Sequence, residues 1–311
     1  MLAIASPAAV RMPEIPQANI AAENPEEIEM TTLAQADATV TVTPFDAPLG
    51  AEVSGIDIRN ITPDQARALN EAFLQHHVIV LRDQQPTDQQ LVDFGRCFGE
   101  VKKSRFVSPL SGHEQIMVIS NIRENGKTMG QLPDGEMWFH IDQIYTPQPC
   151  RAAALFAVEI PSEGGDTCFA NAVKAYEDLH ADSKQRLEGL TAEHSFQYGA
   201  TVVAGKTNDD RPRNTHPLVR RIPENGNRAL AICRLMTDRI NELPEPESRA
   251  LIEVLCDHLE QPKYIYTHKW RKGDILIWDN RCVNHARTDF AETERRLMKR
   301  VTIADDRPPL A

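Results

Sequence analysis

Short β-strand patterns separated by turn residues recur from residue 39 to the C-terminus, and this repetition limits the possible folds more than any other feature. Runs rich in Val, Ile, Leu and Thr are typical of strands, and few stretches show helical spacing. This pattern predicts a mainly β protein with flanking helices, folded as a double-sheet barrel or jelly roll. The predicted strands span residues 39–43, 50–55, 77–82, 116–120, 151–160, 166–171, 193–198, 217–222, 228–233, 263–267, 273–279 and 297–303, and the predicted helices span 62–75, 87–98, 171–190 and 245–260.

Residues 1–38 differ in composition from the rest of the chain. They are rich in Ala, Pro and Glu without a sustained hydrophobic period, which is typical of a flexible tail. The apolar opening at residues 2–10 has no cluster of positive charge before it and is interrupted by Pro7, which disfavours a signal peptide. Residues 39–311 show no further break in composition, so we expect them to form one domain.

Charge and composition disfavour two classes of partner. A formal net charge of -11 and a pI near 5.4 argue against sequence-independent binding of nucleic acid. No run approaches the ~18 apolar residues of a membrane span. The six cysteines include no C-x-x-C pair, which favours free thiols in a reducing compartment, and we therefore expect a cytoplasmic protein. An anionic ligand would need a local group of basic side chains.

The sequence Trp-Phe-His-Ile-Asp at residues 138–142 contains a candidate metal site. On a strand, residues two apart point to the same face, so His140 and Asp142 are predicted to approach one ion together. An imidazole and a carboxylate are two of the three ligands of the 2-His-1-carboxylate set that binds non-haem Fe(II). His180 and Asp182 have the same spacing, but they lie in a helical pattern, where residues two apart do not share a face.

The third ligand must come from another part of the chain, and five downstream histidines compete for this role. His285 is the preferred candidate, because it follows a buried strand pattern at residues 273–279 that ends in polar residues. It also precedes a hairpin that returns through Arg296. The other four candidates begin predicted strands, lie in a helix or stand beside a turn, and they are His194, His216, His258 and His268.

Several motifs in the same order resemble the taurine dioxygenase and 2,4-dichlorophenoxyacetate dioxygenase family of Fe(II)- and 2-oxoglutarate-dependent oxygenases. Besides the stretch at 138–142, they are Pro-Ser-Glu-Gly-Gly-Asp-Thr at 161–167, Gly-Asp-Ile-Leu-Ile-Trp-Asp-Asn-Arg at 273–281 and Arg-Arg-Leu-Met-Lys-Arg at 295–300. The resemblance runs from about residue 41 to the C-terminus. It implies a double-stranded β-helix, the cupin-like jelly roll, with Fe(II) as cofactor and 2-oxoglutarate and O2 as cosubstrates.

The resemblance also implies roles for individual residues. His140, Asp142 and His285 match the iron ligands of the family. Thr167 and Arg296 match the hydroxyl and the guanidinium that bind the distal carboxylate of 2-oxoglutarate. A guanidinium suits this role, because it offers two parallel donors to a carboxylate. Arg300 matches the arginine that holds the anionic group of the prime substrate, and the two arginines would share one face of a strand.

The chain departs from the pattern of taurine dioxygenases near the expected substrate site. Ser104 and Val107 replace a histidine and a tyrosine that help to bind the sulfonate, and Glu136 replaces an asparagine. The resemblance therefore implies hydroxylation of another small anionic molecule, such as a carboxylate or sulfonate, with release of succinate and CO2 and with bond cleavage where the new hydroxyl lies beside a heteroatom. It also implies a homo-oligomer, since dimers and tetramers are common in the family.

Two other functions remain open at this point. The first is a jelly-roll hydrolase or isomerase that uses zinc or manganese, for which Thr167 and Arg296 would not be needed. The second is a non-catalytic member of the family that binds metabolites. A binding-only protein has no physical need for three converging metal ligands, so the set His140, Asp142 and His285 favours an enzyme.

Overall fold

Two β-sheets form the centre of the computed structural model, which describes residues 39–104, 107–131, 137–196 and 211–311. The flexible tail predicted for residues 1–38 lies outside these described residues. In chain order the strands are β1 (Thr41–Pro44), β2 (Ala51–Ser54), β3 (Val78–Leu81), β4 (Met117–Ser120), β5 (Arg123–Glu124), β6 (Lys127–Thr128), β7 (Met137–His140), β8 (Ala152–Glu159), β9 (Thr167–Asn171), β10 (Thr191–Ser195), β11 (Arg213–Pro217), β12 (Val219–Arg221), β13 (Arg228–Leu230), β14 (Thr237–Ile240), β15 (Ile265–His268), β16 (Ile275–Asp279), β17 (Val283–Arg287) and β18 (Leu297–Ile303). The helices are α1 (Pro63–His76), α2 (Asp88–Arg96), α3 (Ala172–Glu177), α4 (Ala181–Leu187) and α5 (Glu245–Leu259).

The order of strands in the two main sheets is that of a jelly roll. The large sheet runs β1-β2-β3-β16-β8-β18-β4, and the small sheet runs β15-β9-β17-β7. Neighbouring strands in these sheets are antiparallel except for the parallel pair β2 and β3. The mainly β, double-sheet fold predicted from the sequence is therefore confirmed.

The main hydrophobic core lies between the two sheets. Leu155, Trp278 and Met298 of the large sheet belong to one buried cluster together with Phe169 and Val283 of the small sheet. Alternate residues of each strand point into this space, so polar residues at inward positions end up in or beside the core. The functional cavity described below opens at one end of this same space.

The outer face of the large sheet is also buried. Ile79, Leu81 and Ile277 belong to a second cluster that includes Phe73 of α1 and Phe94 of α2. Strands β3 and β16 are thus covered on both faces, which explains why their sequences are continuous apolar runs rather than alternating ones. The strand predicted at residues 77–82 is confirmed, with β3 spanning Val78–Leu81.

Helix boundaries follow local capping signals. Thr62 caps α1 through the backbone N–H of Gln65, whose side chain accepts from the Thr62 backbone N–H in return. The single helix predicted over residues 171–190 is wrong, because α3 ends before His180 and α4 starts after it. The His180 side chain accepts a hydrogen bond from the Asp182 backbone and so caps the second helix. None of the helices in the described ranges is long and apolar enough to cross a membrane.

The loop before β9 depends on two glycines with left-handed backbone conformations. Gly164 has φ +73°, and a Cβ atom at this position would lie 2.3 Å from the Asp289 carbonyl oxygen. Gly165 has φ +65°, and its backbone N–H donates to the same carbonyl. A Cβ on Gly165 would lie 3.3 Å from the Arg296 side chain. The glycines therefore let this loop pack closely against the segment that carries Arg296.

We predict that Gly164→Ala lowers the free energy of unfolding by roughly 2–5 kcal/mol, since it combines an unfavourable left-handed φ with a backbone clash. Gly189→Ala is the matched control, because Gly189 has φ +75° with nothing within 4 Å of its Cβ position. The control should lose only the conformational part, about 1–2 kcal/mol. Urea denaturation measures both variants, and equal losses would contradict the close approach to Asp289.

Candidate metal centre and active-site cavity

Strand pairing in the small sheet brings two histidines together. In the antiparallel register of β7 and β17, His140 lies directly opposite His285. Their ring centroids are 4.1 Å apart, and both side chains are buried. Of the five histidines that the sequence left open, the structure brings only His285 to the His140–Asp142 pair among the described residues.

Asp142 reaches the same point by a different route from the one predicted. Strand β7 ends at His140, so the prediction that both residues stand on one strand is wrong, and Asp142 lies in the following turn. The Asn280 side chain holds this turn, because its Oδ1 accepts from the Asp142 N–H at 2.9 Å and its Nδ2 donates to the Asp142 carbonyl at 3.0 Å. Arg220 in turn donates to the carbonyl of Asn280. The two hydrogen bonds of the Asn280 side chain form a clamp, and this Asn280 clamp rather than strand pairing orients the Asp142 carboxylate.

The three side chains converge closely enough to hold one metal ion. One ligand atom from each of His140, Asp142 and His285 lies within 4.8 Å of the other two. The His140 Nε2 is 3.8 Å from Asp142 Oδ1, and the His285 Nε2 is 3.6 Å from Asp142 Oδ2. The Trp138 carbonyl lies 2.9 Å from the His140 Nδ1, so this nitrogen carries the proton and Nε2 has the free lone pair that a metal needs.

Burial and charge favour the protonation states of a metal site. Burial lowers the pKa of both His140 and His285, so the imidazoles are neutral at pH 7. Burial would raise the pKa of Asp142, but the nearby Arg300 and the two histidines outweigh it and bring this pKa to about 2. Neutral imidazoles and an ionised carboxylate are the forms that bind a divalent cation.

A cavity of about 480 Å³ extends from these three residues, and Thr167, Arg287, Arg296 and Arg300 also line it. Apolar side chains form the rest of its wall, with contributions from Ile119, Met137, Leu155, Trp278 and Ala286. The structure thus brings together all six of the site residues predicted from the sequence.

Arg296 is a buried cation with which no carboxylate of the described residues forms an ion pair. Its side chain is 3% exposed, and its guanidinium has no hydrogen bond or ion pair with any described residue. Burial and the neighbouring Arg287 together lower the pKa of Arg296 to about 9, while the Asp166 carboxylate opposes them, and the group stays charged at pH 7. An unpaired buried charge is costly, so the arrangement fits a site for an anionic group of a ligand.

Arg300 has a different environment from Arg296. Its guanidinium donates to both oxygens of Asp142, at 2.7 Å from Nη2 to Oδ2 and 3.3 Å from Nη1 to Oδ1. The side chain still lines the cavity, as the sequence predicted. Arg300 therefore contacts the carboxylate of the metal cluster directly, an interaction that strand alternation did not reveal.

The structure also shows functional candidates that the sequence did not single out. Asn280 belongs to the motif at residues 273–281, but the turn that it holds, at Asp142, is distant in sequence. No local signal therefore indicated its role. Arg287 lies two residues after His285 on β17 and lines the same cavity. Strand alternation would have placed it there. His180 is exposed at its helix end, as expected for a residue without a ligand role.

A second cavity of about 340 Å³ lies near the C-terminus, lined by Cys150, Arg220, Arg281, Asp305 and Arg307 among others. Its buried cations are already engaged, since Arg281 pairs with Asp279 and Glu224, and Arg220 donates to backbone carbonyls. No candidate metal-binding group of the described residues lies there. The chemistry is therefore concentrated in the first cavity.

Comparison with known proteins agrees with this site. The sequence matches the family described as taurine catabolism dioxygenase TauD, TfdA over residues 41–302. It is 33% identical to pentalenolactone F synthase of Streptomyces arenae, over 86% of this chain and 96% of that protein. It is 32% identical to (S)-phenoxypropionate/alpha-ketoglutarate-dioxygenase of Sphingobium herbicidovorans, over 85% and 95%. The crystal structure of AAD-2 in complex with Mn(II) and N-oxalylglycine superimposes with a TM-score of 0.76 at 28% identity, over 88% of this chain and 99% of that one.

The fold and the His-Asp-His cluster together define a jelly-roll oxygenase of the non-haem iron class. The chain belongs to the taurine catabolism dioxygenase TauD, TfdA family. It is a 2-oxoglutarate-dependent dioxygenase that uses Fe(II) with 2-oxoglutarate and O2. The family predicted from the sequence is confirmed, and the hydrolase or isomerase and the non-catalytic alternatives are set aside.

We predict that Asn280→Ala weakens Fe(II) binding about 10- to 100-fold, because the turn that carries Asp142 loses its clamp. Anaerobic equilibrium titration of the apoprotein measures the change. Asn171→Ala is the control, since Asn171 is also buried and bonded to backbone groups, but of Pro48 and Lys174 rather than the Asp142 turn. A similar loss in both variants would mean that the clamp does not orient the ligand.

Proposed function

We propose that this dioxygenase hydroxylates a small organic anion, such as a carboxylate or sulfonate, while 2-oxoglutarate is converted to succinate and CO2. One oxygen atom of O2 enters the product hydroxyl and the other enters the new carboxylate of succinate. The observation that carries the proposal is the unpartnered guanidinium of Arg296, buried in the same cavity as the His-Asp-His cluster. The cavity therefore contains a cation that can bind a ligand carboxylate and a cluster of side chains that can bind a metal ion.

In this proposal His140, Asp142 and His285 hold Fe(II). Three ligands on one side leave positions open for the cosubstrate and O2. The bound iron supplies the oxidant for an unactivated C–H bond. The protein itself keeps the two imidazoles neutral by burial and orients Asp142 through Asn280. The surrounding apolar wall excludes water from the reacting centre.

Thr167 and Arg296 bind the distal carboxylate of 2-oxoglutarate in this proposal. Both residues are buried and line the cavity with the His-Asp-His cluster. A guanidinium can donate two parallel hydrogen bonds to a carboxylate, and the Thr167 hydroxyl can add a third. The bound anion would also remove the cost of burying Arg296 unpaired. A hydrolase or an isomerase would have no use for this cation.

Arg300 is the proposed partner of the anionic group of the prime substrate. It lines the cavity next to the metal cluster and already binds a carboxylate, that of Asp142. A relative gives a chemical precedent, since (S)-phenoxypropionate, which the name of the Sphingobium herbicidovorans enzyme specifies, is a carboxylate. The substrate anion would then lie near the cluster, and its C–H bonds would face the iron.

The first test is anaerobic titration of the apoprotein with Fe(II) and 2-oxoglutarate, following the weak visible metal-to-ligand charge-transfer band of a chelated keto acid. We predict that Arg296→Lys weakens 2-oxoglutarate binding roughly 10- to 150-fold, because it removes a bidentate, charge-assisted pair. Arg295→Lys is the matched control, since Arg295 is exposed and pairs with Glu159. Wild-type affinity in the Arg296 variant would remove this residue from the cosubstrate site.

We predict that Arg300→Ala abolishes the stimulation of 2-oxoglutarate turnover by small carboxylates or sulfonates, while slow turnover without prime substrate persists. Succinate formation measures both rates. Because Arg300 also contacts Asp142, the Fe(II) affinity of the variant is measured first, and the assay uses saturating iron. Substrate stimulation equal to that of the wild type would contradict the proposed role of Arg300.

A further inference from the structure

Trp270 makes a buried hydrogen bond to a residue of the cavity wall. Its indole Nε1 lies 3.0 Å from the Thr167 Oγ1, although the two residues are far apart in sequence. Strand β15 pairs with β9 so that His268 lies opposite Thr167, and Trp270 follows two residues later. Trp270 is buried and does not line the cavity itself, so it approaches Thr167 from behind.

The direction of this hydrogen bond is fixed by chemistry. An indole N–H can only donate, whereas a hydroxyl has one hydrogen to donate and lone pairs to accept. Thr167 must therefore accept from Trp270, and its own hydrogen remains to be donated elsewhere. Among the described residues the Thr167 hydroxyl has no other hydrogen-bond partner. Since Thr167 lines the cavity, its free hydrogen can be donated to a ligand there.

We propose that Trp270 is a positioning residue that fixes the Thr167 hydroxyl as a hydrogen-bond donor and thereby makes the cavity select 2-oxo acids that carry a distal carboxylate. The inference rests on the proposed function, in which Thr167 and Arg296 bind that carboxylate. Without the indole N–H, the hydroxyl could rotate and share its hydrogen with water or other acceptors. The donor would then no longer be preorganised toward the anion.

A rigid polar network holds the indole in position. The His268 ring stands edge-on to Trp270, with centroids 4.5 Å apart and an interplanar angle of 86°. His268 donates through Nε2 to Asp274 at 3.1 Å, and the Tyr266 hydroxyl lies 2.9 Å from its Nδ1. Arg82 pairs with Asp274 and balances its charge. Support of this kind is what keeps a binding group within a narrow range of orientations.

The alternative is a purely structural role, in which Trp270 only fills space in the core. That account explains its burial, but it predicts no link between the indole N–H and the choice of ligand. The two accounts differ for ligands with and without a distal carboxylate. 2-Oxovalerate has the five-carbon chain and the keto acid end of 2-oxoglutarate but ends in a methyl group, so it provides the comparison.

The test is the affinity of Trp270→Phe for 2-oxoglutarate and for 2-oxovalerate, measured anaerobically with Fe(II) by the charge-transfer band. Phe keeps an aromatic ring and removes the N–H. We expect the dissociation constant for 2-oxoglutarate to rise about 3- to 10-fold, as for one neutral hydrogen bond, and that for 2-oxovalerate to change less than about twofold. An equal loss for both acids, or no loss for either, would overturn the proposal.

Thr167 variants separate this inference from the proposed function. Thr167→Val should weaken 2-oxoglutarate binding, Thr167→Ser should retain it, and adding Trp270→Phe to Thr167→Val should cause no further loss. Unchanged binding in Thr167→Val would overturn the cosubstrate role of Thr167 itself. Loss in Thr167→Val with none in Trp270→Phe would overturn only the role of Trp270, and so would additive losses in the double variant.

A second variant keeps the proposal testable if Trp270→Phe does not fold. His268→Gln removes the ring that packs edge-on against Trp270 and leaves both Trp270 and Thr167 in the sequence. We expect it to reduce the preference for 2-oxoglutarate over 2-oxovalerate in the same direction, by about 2-fold or more. An unchanged preference in a folded His268→Gln protein would contradict the supporting network.

Discussion

The antiparallel pairing of β7 with β17 is the interaction on which the rest of the site depends. It sets His140 opposite His285, and a shift of one residue in the pairing register would place the two imidazoles on opposite faces of the sheet. The same strand β17 pairs on its other side with β9, which begins at Thr167. Strand β17 thus brings His140, His285 and Thr167 to the same cavity. Backbone hydrogen bonds between strands provide this order for the two histidines and Thr167, whereas the Asn280 side chain orients Asp142.

Charge is distributed unevenly between the cavity and the rest of the molecule. The chain carries a formal net charge of -11, yet Arg287, Arg296 and Arg300 all line one cavity, in which Asp142 is the only acidic residue among the described residues of the lining. A cationic cleft with apolar walls attracts small anions, because field lines concentrate where the dielectric is low. The net negative charge of the chain repels larger polyanions. The protein can therefore favour small anionic ligands without a basic surface.

Local patterns in the sequence predicted many of the elements, but not β14 or β17, and contacts between distant residues determined what the sequence could not reveal. The capping box at Thr62 and the doubly buried run at β3 depend on neighbouring residues, so they were predictable. The motif residues of the cavity were found because a family resemblance supplied their positions. The turn at Asp142 depends on Asn280, 138 residues away, and the Thr167 hydroxyl depends on Trp270, 103 residues away. No periodicity or spacing encodes such pairs.

The cost of burying Arg296 unpaired lowers the stability of the folded protein. A ligand that binds only the folded chain stabilises it in proportion to the logarithm of its concentration, and an anion that neutralises a buried cation adds to that effect. If Arg296 binds 2-oxoglutarate as proposed, the folded chain is least stable when the concentration of that metabolite is low. Proteolysis acts on the unfolded fraction, so the half-life of the enzyme would rise and fall with the supply of its own cosubstrate.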